Sequence, residues 1–123
     1  MLFEEQKYWC GTQSSYELVL EASEKAADMQ AGGLMSDFQP EPLWHQQGNT
    51  AVVSIQGPLV NGNAGFMSLF GVVGYADIRQ ALSEAVATKS VSNILLDINS
   101  GGGQVSGVSD LASFIKQVDS IKP

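Results

Sequence analysis

The chain has 123 residues, 44% hydrophobic and 15% charged, with a formal net charge of −7. That length suits at most one domain with a core of its own, and the low charged fraction predicts surface covered by partner chains or by further sequence. A nucleic-acid role is not expected because no basic patch exists, and no apolar run of about 18 residues suggests a membrane span.

The start, Met-Leu-Phe-Glu-Glu-Gln-Lys, lacks the pattern of a signal peptide, and the single cysteine, Cys10, builds no disulfide framework. Both predict a cytoplasmic protein. Residues 1–50 carry eight acids and two lysines, against five acids and four bases in residues 51–123. The acidic start reads as plain solubility or as a dock for a basic partner.

Residues 1–48 read as an acidic helical extension with a linker. Ser14-Ser-Tyr-Glu17 matches a capping box and predicts a helix over about 15–29, ended by Gly32-Gly33, with Leu18, Ala22 and Met29 on one face. Trp9, Phe38 and Trp44 have no partner within so short a segment, so they are expected to pack on the core or on another chain. The stretch from Gln39 to Asn49, rich in Pro, Gly and amides, predicts a linker.

Residues 49–123 read as the opening of an α/β domain. Ala51–Ile55 predicts a strand, Gln56-Gly-Pro58 a turn, and Leu59-Val60 a return to extended chain. Asn61–Gly74, with glycines at 62, 65, 71 and 74, predicts a lid, a groove wall, a partner contact or a plain connection. Ile78, Ala81, Leu82, Ala85 and Val86 trace a helix over 77–87. Asn93–Ile98 predicts a buried strand. Val105, Val108, Ala112, Ile115 and Val118 trace a last helix. Strand, helix, strand, helix implies parallel pairing; so few strands cannot bury a parallel sheet, which predicts a fragment or reliance on neighbouring chains.

Between the last strand and helix stands Asn99-Ser-Gly-Gly-Gly-Gln-Val105. A bare-backbone turn that opens a helix offers unpaired N–H groups and a helix dipole to an anion. Three readings follow. A dinucleotide fingerprint is one residue out of step, because Ser106 stands where its last glycine belongs. A P-loop lacks the Lys-Ser or Lys-Thr after Gly107. The third is an oxyanion hole.

Other side chains are weaker candidates. Ser106 reads as a helix-start residue whose hydroxyl satisfies backbone N–H groups, and Ser100 as shaping the turn. His45, the only histidine, sits in the linker, where no geometry supports a triad. Asp97 reads as a buried structural acid, Lys89 and Lys116 as solvated, and no metal-ligand spacing occurs.

Asn99-Ser-Gly-Gly-Gly-Gln-Val105 resembles the Asp/Asn-Ser-Pro-Gly-Gly-x-Val signature of the signal peptide peptidase A-like serine peptidases, which include phage capsid-maturation proteases and share a fold type with the Clp protease subunits. Tyr75-Ala-Asp-Ile-Arg-Gln-Ala-Leu82 resembles the Tyr-x-x-Ile-x-x-Ala-Leu helix of the phage branch, and Val52-Val-Ser-Ile-Gln-Gly-Pro-Leu59 its first core strand and turn. The resemblance covers residues 50–123. It implies a parallel-sheet βαβ core of the Clp protease/crotonase type, truncated, with an amino-terminal helical appendage. It further implies hydrolysis of peptide bonds by a serine nucleophile and a lysine base, with no cofactor or metal.

Carried over, Gly102 and Gly103 are the oxyanion-hole glycines, the Gly103 N–H holding the oxyanion. Gln104 and Val105 lie where a peptide substrate adds a strand. The signature's proline is Gly101 here. The expected serine and lysine fall beyond residue 123, so this chain alone is expected to be inactive. A homo-oligomer, polypeptide substrates such as capsid or scaffold proteins, and a prohead location are implied. The alternatives are a non-catalytic assembly module, or nucleotide binding at the glycine turn.

Overall fold

Alternation along Thr50–Gln56 sets the centre of the molecule: Ala51, Val53 and Ile55 are buried while their neighbours are not. A strand with one apolar face must lay that face on another element. The computed structural model describes residues 9–31 and 42–122, so the Gly32-Gly33 helix stop, Phe38 and the side chain of Met29 lie outside the described residues.

In chain order the elements are β1 (Trp9–Gly11), α1 (Gln13–Ala31), β2 (Trp44–Gln47), β3 (Thr50–Gln56), β4 (Leu59–Val60), a 3-10 helix (Gly65–Phe70), β5 (Val73–Gly74), α2 (Tyr75–Ala87), β6 (Asn93–Asn99), β7 (Gly102–Gln104) and α3 (Val108–Ile121). They form a mixed α/β fold with two small sheets, ordered β2-β3-β6 and β1-β7-β4-β5.

In the first sheet β3 and β6 run parallel from Thr50↔Asn93 to Gln56↔Asn99, with α2 in the connection. Val53 and Ile55 pack against Ile78, Ala81 and Leu82 of α2 and Leu111 and Val118 of α3. β2 pairs antiparallel with β3 through Gly48-Asn49, so the 48/49 boundary drawn from composition falls in the turn of a hairpin. Trp44 packs on the core and donates from its indole Nε1 to Glu84 Oε1 at 3.0 Å. Lys122, just past α3, donates from Nζ to Thr88 O at 2.7 Å, at the carboxyl end of α2, where a cation favours the helix dipole.

Several expectations need correcting. β6 is not a strand buried on both faces. It is the edge of its sheet: Leu95 and Ile98 are 55% and 59% exposed, and Ile94 and Leu96 are half-buried against the helices. Asp97 on the same strand is exposed, not a buried acid. α1 begins at Gln13, because Thr12 Oγ1 accepts the Ser15 N–H at 3.2 Å; Thr12 caps the helix, not Ser14. Its buried face is Val19, Ala22 and Ala26, one residue round from expectation, leaving Leu18 40% exposed. The small alanines let α1 lie close over Val60, Ala64, Met67 and Val72. The glycine-rich connection is thus largely ordered and seated beneath α1.

Candidate functional site

The triple glycine does not open a helix. After Asn99 the chain turns at Ser100-Gly101 and runs straight as β7, and α3 begins only at Val108. Ser100 makes the turn: its hydroxyl donates to Gly102 O at 3.1 Å and accepts the Gly102 N–H at 3.2 Å. Gly107, at φ 88°, is the N-cap of α3 with no side-chain cap bond, so the capping role expected of Ser106 is not taken up. A carbon at Gly107 would strike Asn61, which explains a glycine in this left-handed conformation. The helix dipole expected to act at the glycines is therefore displaced along the chain. The nucleotide reading loses the helix N-terminus that would hold a phosphate.

β7 lies inside its sheet. On one edge it runs parallel to β4, Leu59 opposite Gly103. On the other it runs antiparallel to β1, which pairs Trp9↔Gln104, Cys10↔Gly103 and Gly11↔Gly102. A strand bracketed in this way directs its N–H and C=O groups at neighbouring main chain.

Gly103 is buried, and a Cβ there would sit 2.7 Å from Tyr75 Oη and 2.9 Å from Leu59 Cβ. Gly102 and Gly11 have φ 150° and 151°, and a Cβ on Gly102 would lie 2.5 Å from both Cys10 O and Gly11 Cα. Gly101 accepts the Thr12 N–H at 2.9 Å, and a Cβ there would collide with Ser15 Oγ. The space that a proline ring at 101 would need is occupied by the start of α1.

Gln104 is 6% exposed and its side chain turns inward: Oε1 accepts the Asn61 N–H at 2.6 Å. Its carbonyl accepts the Tyr75 hydroxyl at 2.5 Å. Burial, with a smaller contribution from the nearby Cys10, pushes the Tyr75 hydroxyl above its ordinary value, so it remains a donor. Val105 is 46% exposed. Asp77 Oδ2 accepts the N–H groups of Ala64 at 2.9 Å and Gly74 at 3.1 Å, which fixes the path into Tyr75.

The other candidates are not brought to the glycines. His45 is exposed on β2, opposite Val52 in the other sheet. Lys89 and Lys116 are exposed. No group of three His, Cys, Asp or Glu side chains could hold a metal among the described residues. No helix among them is long and apolar enough to cross a membrane. An open cleft of about 700 Å³ lies elsewhere, lined by Leu43, Trp44, His45, Ser54, Leu69 and Val72. Sequence reasoning passed over Gly11 and Thr12, and it met Tyr75 only as the start of a helix motif and Asn61 only as the start of a glycine-rich connection, neither as a partner of Gln104. Only the Gly-Thr pair ahead of a helix carried a readable signal, that of a cap.

The chain has relatives among phage proteins. It is 34% identical over 85 residues to the head-tail preconnector protein GP5 of Enterobacteria phage P21, which covers 69% of this chain and 17% of that protein. It is 37% identical over 73 residues to capsid assembly protease C of Escherichia phage lambda, covering 59% of this chain and 17% of that protein. The aligned part thus spans about a sixth of the length of these relatives. No family model matches the chain, and no solved structure does. Over part of its length the chain is thus similar to a phage head-tail preconnector protein and a phage capsid assembly protease.

Proposed function

We propose that this chain is the amino-terminal portion of a serine endopeptidase acting in phage capsid maturation, on a fold of the Clp protease/crotonase type. The observation that carries the reading is the similarity to two phage proteins, one of them named a capsid assembly protease. The β3–α2–β6 unit leading into the glycine strand supports it.

In this reading a serine hydroxyl attacks the substrate carbonyl while a lysine takes its proton, and the electron pair moves onto the carbonyl oxygen. The main-chain N–H of Gly103 receives that oxyanion, joined by that of Gly102 when it turns from Ser100 Oγ; one such donor is worth about 3–4 kcal/mol in the transition state. As the intermediate collapses, the lysine passes that proton to the leaving nitrogen, the C–N bond breaks to release the amine, and an acyl-enzyme remains for water to hydrolyse. Gln104 and Val105 border the substrate strand. The inward-facing Gln104 side chain holds β4 while its main chain lies beside the peptide.

The serine and lysine come from polypeptide outside these 123 residues, in keeping with relatives about six times longer than the aligned segment. The substrates are polypeptides such as capsid or scaffold proteins, the enzyme is a homo-oligomer, and it works at the prohead without cofactor or metal.

One observation favours a second reading, a non-catalytic assembly module: both edges of β7 are taken. The test compares the complete protein that contains this chain with the 123-residue chain alone. A serine-reactive fluorophosphonate is expected to label the former, which also cuts capsid or scaffold polypeptide, and to spare the latter. Labelling of the short chain would overturn the placement of the nucleophile. A complete protein neither labelled nor able to cut would overturn the peptidase reading in favour of the module.

A further inference from the structure

β1 pairs with β7 as an added peptide would. It is three residues long, it is joined through main chain, and two of its residues, Cys10 and Gly11, are exposed. Its one large side chain, Trp9, stacks edge-on against Tyr16 with ring centroids 5.4 Å apart, and its indole N–H donates to Thr12 O at 3.2 Å. Both of these contacts are made to the chain just ahead, at the start of α1, and the half-buried ring also packs against the cluster that holds Val19, Ala22, Val60 and Val72, a seat for an aromatic side chain. The pairing ends at a defined stop: Thr12 donates its N–H to Gly101 O and at the same time caps α1.

We propose that Trp9–Gly11 is a detachable cap on the edge of β7, filling in cis the place of an extended peptide. A peptide entering in trans must present an aromatic residue, any residue, then glycine, so that the glycine faces Gly102.

This deepens the peptidase reading at the same site and rests on it for the role of the peptide as substrate. Three observations carry it. Main-chain pairing is indifferent to most side chains, so another extended segment fits where β1 lies. The contact between Gly11 and Gly102 is the exception. A Cβ on Gly11 would collide with Gly101 O and Gly102 Cα, and one on Gly102 would meet Cys10 O and Gly11 Cα. The groove therefore admits only glycine at that register position. Third, the backbone of Tyr16 belongs to α1 and not to β1, so the ring that stacks on Trp9 stays beside the groove to receive another aromatic when β1 leaves. β7 also keeps its other edge on β4, the Asn61–Gln104 bond and the Tyr75–Gln104 bond. Removal of the cap exposes a formed strand edge and does not dissolve it.

The experiment uses two variants of the 123-residue chain, Gly11→Val and a deletion of residues 1–11 that retains the Thr12 cap. Amide exchange within Gly102–Gln104 is expected to speed by about tenfold or more in both, with α2 and α3 unchanged, as for a local opening. The synthetic peptide Tyr-Trp-Ser-Gly-Thr-Gln, residues 8–13 with serine in place of the oxidisable cysteine, is expected to bind both variants saturably and restore slow exchange. The unaltered chain is expected to bind it at least about tenfold more weakly, since its own cap competes in cis. The peptide with valine in place of glycine is expected not to bind.

Unchanged exchange in the deletion variant would overturn the cap. Equal binding of the valine peptide would overturn the glycine requirement. The readouts are binding and exchange, so the peptidase reading fails separately: a complete protein that shows displacement yet cuts nothing refutes hydrolysis and leaves the cap standing.

Discussion

Gly103→Ala tests the packing behind the glycine strand. Nothing in the backbone forbids the change, because Gly103 is not among the positive-φ glycines; the cost is steric. The new methyl carbon would sit 2.7 Å from Tyr75 Oη, 2.9 Å from Leu59 Cβ and 3.2 Å from Leu59 O, and these neighbours must give way. Overpacking of this kind costs about 1–3 kcal/mol. Tyr75→Phe removes the hydroxyl that donates to Gln104 O and leaves a carbonyl without that donor, also about 1–3 kcal/mol.

The two changes meet at one oxygen atom. In the double variant the methyl group gains the space the hydroxyl vacated, so the combined loss is expected to fall short of the sum by about 0.5–1.5 kcal/mol, within the range for residues in contact. Leu59 keeps the relief partial. Urea midpoints at constant m give all four stabilities. Additivity within about 0.3 kcal/mol would refute the argument that Tyr75 Oη is what excludes a side chain at 103.

Three further outcomes are expected. Lys122→Met should lower stability by about 0.5–1.5 kcal/mol by removing the cation that donates to Thr88 O at the end of α2, which then keeps only the Val91 N–H, read as a lower melting temperature; an unchanged melt would show that the latch contributes nothing. Gly107→Ala should cost about 1–3 kcal/mol, because φ 88° disfavours a side chain and Asn61 fills the space; a neutral result would contradict the left-handed cap. In alkaline titration Tyr75 should ionise later than an ordinary phenol. Its raised folded value means the stability it confers is complete below about pH 10 and declines as pH rises through the folded value, and Tyr75→Phe should abolish that decline; an equal decline in the variant would refute the assignment.

The sequence disclosed the parts that repeat. Ile78, Ala81, Leu82 and Ala85 recur at helical spacing and are all buried in α2, and the alternation of Ala51, Val53 and Ile55 is that of β3. β6 was legible as a strand but not as an edge, because apolar content reports a preference for burial and not the number of neighbours available. The cap of α1 moved from Ser14 to Thr12 since both fit the same chemistry, and the backbone alone decides which hydroxyl faces the Ser15 N–H.

The pairing of β1 with β7 left no trace in the sequence. Two three-residue strands separated by most of the chain carry no periodicity, and main-chain bonds are written in every residue. At the candidate site, Gly102 and Gly103 stood out through the family resemblance, whereas the inward turn of Gln104 depends on Asn61 and Tyr75, which no local pattern connects to it.

Gly11 and Gly102 touch through atoms that every amino acid possesses. Elsewhere in a protein a crowded contact is eased when one partner shrinks as the other grows. Here each partner already has the smallest side chain available, so no second change within the pair makes room for a first. Suppressors of a substitution at either position should therefore arise at the Thr12 cap or in α1, where the approach itself is altered, and not at the opposing glycine.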